Sequence, residues 1–240
     1  MFAEELIRAA DEYGINLSEK QVDLFNKYYE ILIEWNEKIN LTAIIDPRSV
    51  AVKHMIDSLS CYDESCFPQG CRVIDVGTGA GFPGLPLKII RPDIQLVLLD
   101  SLNKRLNFLQ RVVDELDLPD VQTVHARAEE GGRKKELRET FDVALSRAVA
   151  RLHVLSELCL PYVKVGGWFI ALKGAKYEEE VEEARRAVAL LGAKSIKTVR
   201  VELPGLDDKR AILYIQKLKN TPLAYPRNAG QMAKKPLAGK

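Results

Sequence analysis

The sequence predicts an α/β fold: a mostly parallel, doubly wound sheet that closes in an antiparallel hairpin and is preceded by a helical cap. Three observations predict it. From residue 71 onward, short β-type runs alternate with helical stretches, the pattern of βαβ units whose parallel sheet is covered on both faces. The first of these runs leads straight into a glycine-rich turn, where such sheets bind their ligands. Before residue 67 the chain reads as helix alone. Two regions follow, a helical cap over residues 1–66 and a main domain over residues 67–240 with a basic C-terminal tail.

In the cap, Leu6, Ile7, Ala10 and Tyr13 recur at amphipathic spacing. Ser18, with Gln21 three residues on, forms a capping box for a second helix. Val22, Phe25, Tyr28, Tyr29, Leu32, Ile33 and Trp35 then follow at helical spacing, which predicts core packing rather than a platform for stacking bases. Asp46-Pro47 interrupts the run, and SVAVKHMIDSLSCY resumes a helix. Strand-type runs come next at CRVID (71–75), QLVLLD (95–100), VQTVHA (121–126), FDVALSR (141–147) and GGWFIALKG (166–174). Helices are expected over 85–90, 104–116, 133–139, 152–163 and 177–191. The final stretch, SIKTVRVELPGLDDKRAILYIQKL, holds two strand-like runs with no helix between them, hence the hairpin.

The composition is that of an ordinary globular protein, 47% hydrophobic and 29% charged over 240 residues. No apolar run approaches the roughly 18 residues of a membrane span. The opening MFAEELIRAADEYG lacks the basic and apolar regions of a signal peptide, so a cytoplasmic location with no membrane partner is expected. Cys61, Cys66, Cys71 and Cys159 do not have zinc-ribbon or C-x-x-C spacing, which predicts reduced thiols and no metal site. A net charge of +1 argues against a wholly basic nucleic-acid binder. From Lys209 to Lys240, however, there are eight Lys or Arg and no Asp or Glu. That stretch is either a solvated tail or a patch facing a polyanion.

The turn VIDVGTGAGFPG carries Gly77, Gly79, Gly81 and Gly84 behind the first strand. It is not the dinucleotide fingerprint, because Phe82 stands where the third glycine belongs. A P-loop is excluded by the lack of a following Gly-Lys-Ser/Thr. Asp75 at the strand end would repel a pyrophosphate and suits a cationic group. Asp100 ends the next strand, placed to accept bonds from a ribose diol. A ribose joined to a cation without phosphate describes S-adenosylmethionine. The competing reading is a tight turn with incidental acids.

Several segments resemble one family: DVGTGAGFPGLPL, KHMIDSLS, HARAEE, LSRAVA, LKG and YPRNAGQMAKKPL, in a chain similar from WNEKINLT (35–42) to KKPL (234–237). The chain resembles the glucose-inhibited division protein B family, the RsmG type of bacterial methyltransferase that methylates N7 of a guanine in small-subunit ribosomal RNA. The glycine loop alone is shared by many methyltransferases; SRAVA with the Pro-Arg…Lys-Pro tail is specific. The resemblance implies a Rossmann-like class I S-adenosylmethionine-dependent methyltransferase sheet and cofactor contacts at Gly77, Phe82, Ala128, Glu129 and Arg147. Asp75, Gly79 and Asp100 join them from the loop argument. Ala128-Glu129 would hold the adenine edge, unless Glu129 merely caps a helix N-terminus. Arg147, Lys173 and His54 are the positioning candidates, and no catalytic residue is assigned. Arg210, Arg227, Lys234 and Lys235, with Lys173, are candidates for RNA phosphate contacts.

The residues favour N7 chemistry independently. Cytosine-C5 methylation needs a cysteine nucleophile, and Cys159 lies inside an expected helix. Exocyclic-amine methylation uses an (N/D)-P-P-(Y/F/W) loop, where this chain has SRAVAR. N7 carries a free lone pair, so positioning and water exclusion suffice. The partners expected are small-subunit ribosomal RNA or a ribosomal particle, for a monomeric enzyme. A small-molecule methyltransferase of the same fold and a non-catalytic RNA-binding assembly factor are the alternatives.

Overall fold

The computed structural model describes residues 1–239. Lys240, the last of the basic residues counted above, lies outside the described residues. The cap opens with α1 (Phe2–Tyr13), which Gly14 ends in a left-handed conformation at φ 83°. Helix α2 (Glu19–Ile39) starts with the expected capping box, Ser18 accepting from the Gln21 N–H at 3.3 Å. Asp46 caps α3 (Pro47–Val50), which runs on through a π-helical turn at Ala51–Ile56 into α4 (Asp57–Leu59). Such turns displace side chains from ordinary helical positions and are frequent at functional sites. This one carries His54 and delivers Asp57.

Seven strands form one sheet: β1 (Arg72–Val76), β2 (Gln95–Asp100), β3 (Val121–His125), β4 (Phe141–Arg147), β5 (Val163–Lys173), β6 (Ala193–Val201) and β7 (Arg210–Lys217). Their order is β3-β2-β1-β4-β5-β7-β6, with β1 to β5 parallel and β7 antiparallel to both neighbours. The chain runs outward from β1 to β3 and returns to β4 on the other side of β1. That reversal opens a crevice at the carboxyl ends of β1 and β4. Helices α5 (Gly84–Ile90), α6 (Asn103–Glu115), α7 (Ala128–Gly131), α8 (Leu152–Cys159), α9 (Tyr177–Leu190) and α10 (Ala229–Lys234) complete the chain.

Two expected helices are corrected. Residues 133–139 form turns: Glu139 takes φ 54° and its N–H donates to the Pro161 carbonyl instead of to a carbonyl one helical turn back, while Arg133 and Arg138 tie the segment to carbonyls of the C-terminal stretch. The helix expected to residue 163 stops at Cys159, and a 3-10 turn over Leu160–Tyr162 follows. Pro161 has no N–H to continue the ladder, and β5 begins at once.

Each sheet face has its own core. Phe2, Leu6, Phe25, Tyr28, Leu32 and Met55 of the cap share one with Val73, Leu96, Leu98 and Leu145 of the sheet. Burial of each such side chain contributes roughly 1.5–3 kcal/mol, so the cap is fixed to the crevice it overlooks. On the opposite face, the Lys217 ammonium is wholly buried and donates to the Leu160 and Val163 carbonyls and to Glu139. Burial lowers its pKa to about 8.

Candidate active site

The glycine loop turns the chain back over the sheet. Gly77 and Gly79 take φ of 71° and 61°, values a side chain disfavours. The Gly77 and Thr78 N–H groups donate to the Leu99 carbonyl at 2.9 and 3.1 Å, which ties the loop to β2. Asp75 is fully buried, and its Oδ2 accepts from Thr78 Oγ1 at 2.8 Å and from the Gly84 N–H at 2.9 Å. Its other oxygen has no partner. Burial outweighs those two bonds and raises its pKa to about 6. The expectation that Asp75 faces a cationic ligand is thereby corrected: the carboxylate points into the turn, holds it closed, and does not line the crevice.

The crevice is a cavity of about 490 Å³ that brings together Gly77, Gly79, Phe82, Asp100, Ala128, Glu129 and Arg147. That volume lies within the usual range for a small-molecule site. Asp100, 2% exposed, accepts from the Gly79 N–H at 3.0 Å, the Leu102 N–H at 2.9 Å and Arg105 at 3.4 Å. It therefore shapes the loop as well as forming part of the cavity wall. A Cβ at Gly79 would meet no protein atom within 4 Å, so that side of the loop is open. Ala128 and Glu129 form the first turn of α7, where Tyr162 donates to the Ala128 carbonyl at 2.6 Å.

The cap supplies the remaining wall. Tyr28 of α2 donates to the Ala80 carbonyl in the glycine loop. Its ring stacks on Phe82 at 5.4 Å, and His54 stacks on Phe82 at 4.6 Å. The Arg147 guanidinium lies 5.0 Å from the same ring. His54 Nε2 is 2.9 Å from Thr42 Oγ1, and its Nδ1 is 3.4 Å from Arg147. Burial, then the nearby Arg147 charge, lowers the His54 pKa to about 4, so the ring is neutral near pH 7.

His54, Arg147 and Ala148 also line a second cavity of about 560 Å³ beside the first. Its other lining includes Lys53, Asp57, Lys173, Lys176, Lys209 and Arg210. Ala148 takes φ 57°, unusual for a non-glycine residue, where the chain leaves β4 between the cavities. Lys173 is ion-paired with Glu180 at 2.6 Å and donates to the Ala150 carbonyl at 2.8 Å, so it braces this wall.

The five basic residues assigned to phosphate do not form one patch: Lys173, held by Glu180 as described, shares the second cavity with Arg210, and the other three lie apart on the tail. Arg210 opens β7 and is paired with buried Asp57 at 2.9 Å. Arg227 grips Glu157, which is 1% exposed, at 2.6 and 2.8 Å, and donates to the Lys235 carbonyl. Its guanidinium is committed to folding the tail onto α8, which corrects the reading of Arg227 as a phosphate ligand. Lys234 and Lys235 are exposed. Among the described residues no helix is long and apolar enough to cross a membrane.

A family model described as rRNA small subunit methyltransferase G matches residues 21–212. The chain belongs to the rRNA small subunit methyltransferase G family. A protein of that name from Desulforamulus reducens is 52% identical over 233 residues, covering 97% of each chain. Another from Clostridium perfringens is 50% identical over 230 residues, covering 96% of each. Among solved structures, Aeropyrum pernix fibrillarin with natively bound S-adenosyl-L-methionine has a TM-score of 0.51 at 18% identity, over 67% of this chain and 73% of that one. The antibiotic-resistance methyltransferase Kmr has a TM-score of 0.51 at 16% identity, over 64% and 89%. The chain is thus a small-subunit ribosomal RNA methyltransferase on a Rossmann-like sheet, and S-adenosylmethionine is its cofactor.

The cavity of this methyltransferase fits that group. The open side of Gly79 leaves room for a ligand against backbone, and the buried Asp100 carboxylate stands at the end of β2. Sequence reasoning missed Thr42, Asp57 and Arg105. Asp57 did carry a signal, an acid inside the apolar run VAVKHMIDSL within a quoted family segment.

Proposed function

We propose that this methyltransferase transfers a methyl group from S-adenosylmethionine to N7 of a guanine in small-subunit ribosomal RNA, acting as a cytoplasmic monomer. The observation that carries the reading is the pair of adjoining cavities sharing His54, Arg147 and Ala148. The first takes the cofactor and the second the acceptor base. When bound, S-adenosylmethionine supplies a methyl activated on a sulfonium. Gly77 and Gly79 let the backbone approach it, Asp100 takes the ribose hydroxyls, and Ala128-Glu129 lie at the adenine edge. Phe82, held between Tyr28, His54 and Arg147, walls off the reacting centre from the cap side. N7 gives up no proton, so these residues have to orient and to exclude water.

Lys53, Lys176 and Lys209 around the second cavity, with Lys234 and Lys235 on the tail, suit a polyanion better than a neutral metabolite. Transfer of tritiated methyl to assembled small subunits, free RNA and small-molecule extracts tests the reading. Label in ribosomal RNA, recovered as 7-methylguanine, is expected. Label confined to small molecules supports the small-molecule alternative, and cofactor binding without transfer supports an assembly factor.

A further inference from the structure

Asp57 takes no part in the function described above. It stands on α4 of the cap, 3% exposed, and lines the second cavity but not the first. Its Oδ2 accepts from Arg147 at 2.8 Å and its Oδ1 from Arg210 at 2.9 Å. One carboxylate from the cap therefore holds the guanidinium at the end of β4 and the one at the start of β7. Arg147 is fixed further by a bond to the Lys53 carbonyl at 3.1 Å, and it lines both cavities.

Charge matters here as much as position. The guanine N7 lone pair forms the new N–CH3 bond while the S–CH3 bond breaks and its electron pair stays on sulfur. One unit of positive charge thereby leaves the first cavity and arrives on the guanine ring in the second. Two guanidiniums in that wall oppose an arriving cation, and screening by water is weak at a buried site. We infer that Asp57 is a positioning residue for methyl transfer. It fixes Arg147 and Arg210 in the wall of the acceptor cavity and cancels one of their two charges where the product cation forms. The inference rests on the second cavity being the acceptor side.

The test is Asp57→Asn, with the single-turnover rate measured at saturating S-adenosylmethionine and small subunits, beside cofactor affinity and melting temperature. The rate should fall about tenfold to a hundredfold, at or below the loss expected for one preorganised electrostatic group. Cofactor affinity should move less than about threefold, because Asp57 is outside the first cavity. Adding Arg210→Gln returns the cluster of residues 57, 147 and 210 to the single net positive charge it carries in the wild type and should recover most of the rate. A bridge that acts only structurally gives no such recovery. A wild-type rate for Asp57→Asn, or a double variant no faster than it, overturns the inference. If Asp57→Asn does not fold, the comparison passes to the Arg210→Gln background. There, adding Asp57→Asn should slow turnover, and equal rates overturn the inference. An active wild type with an unaffected variant defeats this inference alone, whereas a wild type that labels no ribosomal RNA defeats the functional reading beneath it.

Discussion

Removing the Asp100 carboxylate tests the cofactor assignment and the loop architecture together. One oxygen accepts from the Gly79 N–H at 3.0 Å and from Arg105 at 3.4 Å, the other from the Leu102 N–H at 2.9 Å. Asp100→Ala leaves two backbone donors without an acceptor, at about 1–3 kcal/mol each where water cannot replace it. The cavity beside Asp100 admits some water, so a loss of about 2–4 kcal/mol is expected from a total stability of roughly 5–15 kcal/mol. Asp100→Asn separates the two roles. Its carbonyl oxygen keeps one N–H while its amide faces the other, so roughly half the loss should remain. Charge-assisted bonds to ribose hydroxyls are worth about 1.5–3 kcal/mol, so Asp100→Asn should bind S-adenosylmethionine about tenfold to a hundredfold more weakly. Urea unfolding reads the first quantity and calorimetric titration the second. A folded Asp100→Asn that binds the cofactor as tightly as wild type refutes the ribose assignment and leaves Asp100 as a brace for the loop.

Gly79→Ala should cost about 1–2 kcal/mol of stability for its left-handed φ and, by placing a methyl in the open side of the loop, weaken calorimetric cofactor affinity at least tenfold. Unchanged affinity would count against the loop as the cofactor's cradle. Arg227→Ala strands the buried Glu157 carboxylate and should lower urea stability by about 3–5 kcal/mol, whereas a role confined to RNA predicts no change. The lowered pKa of His54, about 4 against an ordinary 6.5, means that the unfolded chain binds more protons between those values. Stability should therefore rise with pH across that window by up to about 3 kcal/mol from His54 and flatten above it. Asp75, raised to about 6, pulls the opposite way below pH 6, so the comparison is wild type against His54→Gln, which should lose the His54 share of the slope. Replacing Lys234 and Lys235 by Ala should weaken RNA binding and flatten its salt dependence by about one log unit per lost contact at most, with cofactor affinity unchanged.

What the sequence made legible was local. Period and punctuation were enough for the five parallel strands, the closing hairpin and the capped start of α2, because each strand's pattern and each cap is written in a dozen or fewer consecutive residues, even where the pairing joins residues as distant as Val73 and Val143. The glycine loop and Asp100 were legible because a strand end and the next strand end must lie side by side in a parallel sheet. Where charges found partners far along the chain, local reading failed. Asp57 meets Arg147 and Arg210 across 90 and 153 positions, and no window spans that distance. The acid-free stretch beyond Lys209 shows the consequence most clearly. It looks like a solvated basic tail because the carboxylates that balance it are elsewhere: Asp57 for Arg210, Glu139 for Lys217 and Glu157 for Arg227. Those three cations are used by the fold to bind cap, sheet and tail to one another. Lys209, Lys219, Lys234 and Lys235 stay exposed, and a polyanion can be met only by charges of that kind. The composition of the segment thus overstates its RNA-facing charge, and the salt dependence of RNA binding should count the exposed lysines rather than the basic residues of the segment.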